Sequence, residues 1–310
     1  MKLLCLMGLV FFVTSFHQED YLTISRQGEP LAVIERANFS VPVPGLQMVD
    51  HAPLDSLIEK LDKETYRPPQ NAVMSDNGEI ISEQAGYKLN RQVFIKKFYS
   101  YFYGKGSSSM EVPILSVYPK VDSELLSHIN VQKIGEYTTY LNANNKTRTH
   151  NISLAVKGIN NYVVLPGETF SFNKVVGKRT AAKGYLRAPI IVKGELAEGI
   201  GGGICQVSST LFNAVDRAGL GIVQRYSHSK SVSYVPPGRD ATVSWYGPDF
   251  SFVNKYNQPV LIRANSQGGR VIIKIYSSDT LEYKTRVIPG ASHKLPHELK
   301  VIPRNQKVNQ

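Results

Sequence analysis

Apolar residues recur at helical spacing in several places along this chain and alternate or cluster between them. Leu54, Leu57, Ile58 and Leu61 are three or four apart, with Asp55 and Ser56 near the start, which predicts a helix over 54–61. Ala72-Val73-Met74-Ser75 and Glu79-Ile80-Ile81 flank Asp76-Asn77-Gly78, the pattern of two short strands joined by a tight turn. Asn90 reads as the cap of a second helix carrying Val93, Phe94, Phe98 and Tyr101. Residues 104–109 read as a loop and 112–118 as a strand. Ahead of these, 21–46 reads as one strand and an extended linker, broken by Pro30, Pro42, Pro44 and Gly45.

The second half follows a different rhythm. Ile152, Ala155, Val156 and Ile159 place a helix over 150–164, and Pro166-Gly167-Glu168 turns the chain into a short strand over 169–172. A strand is expected over 188–192 and a helix over 205–218. On that helix Ile204, Val207, Leu211, Ala214, Val215 and Ala218 share one stripe, which should pack on a sheet. Runs at 221–226, 231–234, 241–246, 250–253, 259–264 and 270–277 are punctuated by Pro236-Pro237-Gly238, Gly247-Pro248-Asp249 and Gly268-Gly269. Such turn signals favour antiparallel pairing. The expected fold class is therefore α+β, in two domains. The C-terminal one should be a mainly antiparallel sheet against a helix starting at Cys205.

The N-terminus changes the setting. Lys2, an apolar stretch over 3–16 and then His17-Gln18-Glu19-Asp20 fit a secretory signal peptide, or an uncleaved N-terminal anchor. The stretch is shorter than the ~20 residues of a comfortable membrane span. The boundaries expected are a leader over 1–20, a linker over 21–46, a first domain over 47–130, a second over 131–280 and a basic tail over 281–310. With 42% hydrophobic and 20% charged residues the chain can bury real cores. A formal net charge of +11 attracts polyanions. No nucleic-acid-binding motif accompanies the charge, so an extracytoplasmic chain would direct it at anionic wall polymers or a membrane surface. No cofactor motif appears, and Cys205 with His228 is too few ligands for a metal.

An exported chain with one cysteine outside its leader cannot close an internal disulfide with it. Cys205 is then a free thiol, a partner for another chain, or a nucleophile. It follows Gly201-Gly202-Gly203-Ile204 at a predicted helix start, where the dipole and unpaired amides stabilise a thiolate. Such surroundings lower a cysteine pKa from ~8.5 into the range of about 3.5–7.5. Backbone amides near Gly203, Ile204 and Gln206, with the Gln206 amide and the flanking Ser209, are candidates for holding an oxyanion or substrate. His228 is the candidate base, Asp240 its orienter, and Arg239 a fork for a substrate carboxylate. Against these stand plainer uses of the same side chains: a packing cysteine, a satisfied histidine, a turn aspartate.

Pro166-Gly167-Glu168-Thr169-Phe170-Ser171-Phe172-Asn173 and Val176-Gly177-Lys178-Arg179-Thr180 resemble the opening of the VanW domain. Gly184-Tyr185, the triple-glycine cysteine run, Tyr226-Ser227-His228-Ser229 and the stretch from Tyr234 to Val243 continue the likeness in order. Residues of about 48–127 resemble, more loosely, the peptidoglycan-binding domain that often precedes it, on Pro68-Pro69-Gln70-Asn71-Ala72, Gly86-Tyr87 and Tyr118-Pro119-Lys120-Val121. Some members of this family of Gram-positive wall proteins are associated with L,D-transpeptidase chemistry through the cysteine of the glycine-rich motif. The resemblance thus implies Cys205 as nucleophile and peptidoglycan stem peptides as partners. A carboxypeptidase or endopeptidase using the same thioester, and a non-catalytic wall-binding protein, stay open as alternatives.

Overall fold

A computed structural model of the chain describes residues 20–192 and 195–295; the leader up to residue 19 and the tail beyond 295 lie outside them. The described residues divide into two compact units. One comprises those up to Asn71 together with Glu83–Lys120, the other Ala72–Ser82 together with those from Val121 on.

In the first unit β1 (Tyr21–Arg26) pairs antiparallel with β2 (Glu29–Glu35). The two-residue connection, Gln27 and Gly28, has positive φ at both positions, as a twist-matched hairpin turn requires. Leu22 and Ile24, two apart and so on one face, are fully buried. Residues 21–35, expected to form one strand and linker, thus supply a hairpin to the core. The helix α1 (His51–Thr65) starts before the expected 54, because the Asp50 carboxylate, not Asp55, accepts the Ala52 amide at 3.0 Å.

The hairpin β3 (Val73–Met74) and β4 (Ile80–Ile81) forms where the turn signal stood but belongs to the second unit. Next come β5 (Gly86–Leu89), α2 (Arg91–Phe102), β6 (Ser108–Glu111) and β7 (Ile114–Val117). Asn90 caps α2 as expected, its side chain accepting the Val93 amide at 3.2 Å. β6 occupies part of the expected 104–109 loop and runs parallel to β1. Leu54, Leu57, Ile58 and Leu61 pack with Phe94, Phe98 and Phe102, each side chain worth about 1.5–3 kcal/mol on burial.

The second unit opens with α3 (Ser123–Ile129), β8 (Gln132–Tyr140), α4 (Lys146–Ile159) and β9 (Tyr162–Val164). The helix expected over 150–164 stops at Ile159, since Asn161 takes a positive φ and holds Met74 through both side-chain atoms. Then follow β10 (Thr169–Ser171), α5 (Phe172–Val176), β11 (Arg187–Val192), β12 (Glu195–Ile200) and α6 (Ile204–Arg217). β13 (Gly221–Gln224), β14 (Ser251–Val253), β15 (Val260–Gln267) and β16 (Arg270–Ser277) complete it.

Four strands form the main sheet in the order β8–β16–β15–β9, all antiparallel. The molecule is of the expected α+β class. Helices α4 and α6 pack on this sheet around a core that includes Ile152, Val207, Leu211, Ile273 and Ile275. The stripe of α6 packs on this sheet as expected, but the opposite, polar side of the helix is covered as well. Every residue from Gln206 to Asp216 is buried, so its polar side chains must find partners inside the protein. Residues 281–295, expected as the start of a basic tail, are held against this unit: Leu281 and Ile288 are buried and Arg286 pairs with Asp216 at 2.6 Å.

Candidate active site at the start of α6

α6 begins where the chain has no side chains to obstruct it. Gly203, the residue before the helix, takes φ +105°. A Cβ on Gly202 would lie 2.6 Å from the Pro189 carbonyl oxygen, so only glycine lets this turn lie against β11. The Ile204 amide donates to Gly201 O and the Gln206 amide to Gly203 O, while those of Gly203 and Cys205 have no acceptor among the described residues. Donors for a developing oxyanion therefore narrow to these two.

The polar side chains of α6 hold a second segment along the helix. Ser209 Oγ accepts the Ala241 amide at 2.8 Å and donates to the Cys205 carbonyl at 2.7 Å. Ser208 donates to Ala241 O at 2.6 Å and Asn213 to Arg239 O at 2.8 Å. The amide and carbonyl of Ala241, at the head of the strand expected over 241–246, are taken by Ser209 and Ser208, and that run is irregular, as is 231–234. The Thr242 amide still reaches Tyr226 O at 2.8 Å, which brings the 226–228 segment alongside.

Three side chains meet as a result. Asp240 Oδ2 lies 2.6 Å from His228 Nδ1 and accepts the His228 backbone amide at 2.6 Å. The imidazole also lies close enough to Cys205 for the two to interact. The sulfur also contacts Val243 O at 3.5 Å and Thr242 Oγ1 at 3.7 Å. Cys205 and His228 are each partly exposed as residues, while the His228 and Asp240 side chains keep only 7% and 9% of their surface.

Electrostatics favours the charged pair. Burial raises the Cys205 thiol pKa, but the hydrogen bond and charge of His228, aided by Val243 and Thr242, hold it below its ordinary value. Burial lowers the His228 pKa, yet the bonds and charges of Cys205 and Asp240 raise it overall. Asp240 lies below the usual carboxylate range despite burial, through its bonds with His228. This arrangement can keep a thiolate beside an imidazolium, the resting state of an activated thiol nucleophile.

Other expected site residues serve differently. Gln206 is fully buried, accepting from Arg148 at 2.7 Å and donating to Thr139 Oγ1 and Tyr140 O, so its amide braces α6 against β8. The Ile204 side chain is in the core. Arg239 donates to Asn213 at 2.7 Å and Asp216 at 2.7 Å and lies 4.5 Å from the centre of the Phe212 ring. Arg225 covers the same ring at 4.9 Å and donates to the Asp240 carbonyl. The two guanidiniums anchor the segment bearing Asp240.

Three neighbours of the sulfur were not singled out from sequence. Tyr234 lies close to Ser209, and its hydroxyl pKa is pushed far up, chiefly by burial and then by the nearby Cys205. Thr242 touches the sulfur directly. Arg179 lies near enough to interact with it electrostatically. Both Tyr234 and Arg179 stand in ordered runs quoted above, the available signal for them. Among the described residues no group of three or more His, Cys, Asp or Glu is gathered as a metal site needs.

Comparison with known proteins places this geometry in context. A family model described as VanW like protein matches residues 147–276, which contain all three side chains. The chain is 59% identical over 292 residues to the uncharacterized protein YoaR of Bacillus subtilis, covering 94% of this chain and 96% of that one. It is 34% identical over 104 residues to the vancomycin B-type resistance protein VanW of Enterococcus faecalis, or 32% of this chain and 38% of that protein. No solved structure matches the chain.

Proposed function

The chain belongs to the VanW family, a cell-wall-related family, and from that premise we propose that it is an exported cysteine acyltransferase of L,D-transpeptidase type acting on peptidoglycan stem peptides. The observation that carries this reading is the gathering of Cys205, partly exposed as a residue, with the His228 imidazole that interacts with it and the buried Asp240 bound to that imidazole. A packing cysteine needs neither an imidazole nor an oriented carboxylate behind that imidazole.

In the proposed reaction the Cys205 proton resides on His228 and the thiolate attacks a stem-peptide carbonyl carbon. The tetrahedral oxygen is met by the amides of Gly203 and Cys205, and the dipole of α6 favours its charge. The C–N bond to the terminal residue then breaks, its nitrogen taking the His228 proton, and a thioester remains. An amine of a neighbouring stem attacks that thioester, its proton passes to His228, and the thiolate departs as the new amide forms. Asp240 stays ionised throughout and holds the ring in place.

The leader supports export under this reading, and the first unit with the basic charge supports attachment to the wall. The test is muropeptide analysis of cells carrying the native chain or Cys205→Ala, with intact-mass measurement of the purified protein on tetrapeptide stems. An acyl adduct on Cys205 and cross-links lost in the variant are expected. Adduct formation with released peptides and no cross-links would make water the acceptor and the protein a hydrolase. Full complementation by Cys205→Ala would reduce it to a wall-binding component.

A further inference from the structure

The guanidinium of Arg179 is held at one end and open at the other. Nη1 donates to Asn173 Oδ1 at 2.7 Å and to Gly177 O at 3.2 Å. Asn173 is fixed in turn, donating to Ser244 O at 2.9 Å and Pro248 O at 3.1 Å, and Ser244 follows the Val243 that touches the Cys205 sulfur. The stem of Arg179 crosses Gly201, where a Cβ would stand 3.2 Å from Arg179 Cβ. Arg179 is thus built into the rim of the nucleophile's own turn.

No carboxylate pairs with it among the described residues. Nε and Nη2 donate to no acceptor there and are not sealed from solvent. Burial lowers its pKa, and Cys205 leads the anionic neighbours that raise it, ahead of Tyr185 and Asp249. A part-buried cation with a free fork, packed on the glycine turn that leads to Cys205, is an unfilled seat for an anion. Arg239, the residue that the sequence suggested for this task, is engaged by Asn213 and Asp216.

We propose that Arg179 receives the free carboxylate of the donor peptide and thereby sets the attacked carbonyl over Cys205. The proposal rests on the acyl-transfer reading, since a single departing terminal residue carries its carboxylate next to the bond that breaks. It makes Arg179 a specificity-determining residue for donors ending one residue past that carbonyl. Longer or amidated ends would place no charge at the fork.

The test needs no turnover. Cys205 is alkylated with iodoacetate, an anion, and with iodoacetamide, its neutral counterpart, and the ratio of the two rates is compared between variants. The thiolate fraction cancels in the ratio. Arg179→Gln should lower it ~10-fold, the size of one charge-assisted hydrogen bond, and Arg179→Lys by a smaller factor, since charge persists without the fork. An unchanged ratio in Arg179→Gln, or equal slowing with both reagents, overturns the proposal. Should Arg179→Gln fail to fold, the Arg179→Lys ratio decides in the same way.

A second arm compares acylation by a tetrapeptide with a free terminus and by its terminal amide. The native chain should prefer the acid ~10-fold or more, and Arg179→Lys should narrow the gap; equal preference in the native chain overturns the proposal. Absence of any peptide adduct, with the alkylation ratio still falling, would sink the acyl-transfer reading while leaving an anion seat at Arg179.

Discussion

Asp240 and His228 are joined twice through one atom: Oδ2 receives the backbone amide of His228 and lies 2.6 Å from its ring Nδ1. The amide bond fixes where the residue starts and the ring contact fixes how the imidazole is turned. The ring so held interacts with Cys205. Asp240→Asn keeps an oxygen for the backbone amide but removes the charge that sustains an imidazolium. Acylation of Cys205 is expected to fall ~10²–10⁴-fold with thermal stability nearly unchanged, as stopped-flow or mass-resolved kinetics would show.

The thiolate–imidazolium pair has a signed pH signature. The thiol lies below and the imidazole above its ordinary value, and both shifts favour the charged pair. Iodoacetamide alkylation of Cys205 should remain fast at pH values where a free thiol is protonated. His228→Ala removes the leading stabilising causes and leaves burial, which raises the thiol. Its alkylation midpoint should move above that of an ordinary cysteine, and a midpoint equal to the native one would show that the imidazole does not ionise the sulfur.

Ser209 latches the Asp240 segment to α6. Ser209→Ala strips the Ala241 amide of its acceptor in a buried place, which costs about 1–3 kcal/mol. Denaturant titration should register that loss, and hydrogen exchange at Ala241 should accelerate well beyond that of the α6 interior. Protection of Ala241 as in the native chain would contradict the latch.

Gly202 is closed to any side chain, since a Cβ there meets Pro189 O at 2.6 Å and the Ala188 carbonyl carbon at 2.7 Å. Gly202→Ala must push β11 away from the helix start, at a cost of about 1–3 kcal/mol. Calorimetry should show the lowered melting temperature, with Cys205 reactivity reduced because its turn is displaced.

Trp245, the single tryptophan of the chain, is 42% exposed and lies two residues from the Val243 that touches the sulfur. Its neighbour Tyr246 is 85% exposed and lies beside the Lys178 ammonium, 5.0 Å from the ring centre. Exposed aromatic rings following so closely on a residue that touches the sulfur are placed to meet a bound peptide under the proposed function. Stem tetrapeptide added to Cys205→Ala should change the tryptophan emission saturably, and a flat titration at millimolar peptide would place the ligand elsewhere.

Local chemistry was legible in the chain itself. The turn signal of Asp76-Asn77-Gly78, the cap at Asn90 and the glycine run before Cys205 act over a few residues, so the amino-acid order alone determined them. The same holds for the candidacy of Cys205, His228 and Asp240, whose residue types and motifs carry the chemistry. What depends on distant partners was decided only by the tertiary structure. β8 hides from a strand reading because Gly135 breaks its alternation and Thr139 is buried against Thr210, a partner 71 residues away. The strand expected over 241–246 is not formed, and at its first residue Ser208 and Ser209 take the carbonyl and amide of Ala241. Arg239 and Arg179 look alike as isolated guanidiniums. Only packing decides that Asn213 and Asp216 occupy one while the other keeps free donors near the sulfur, because a side chain's availability is set by neighbours that sequence distance does not record.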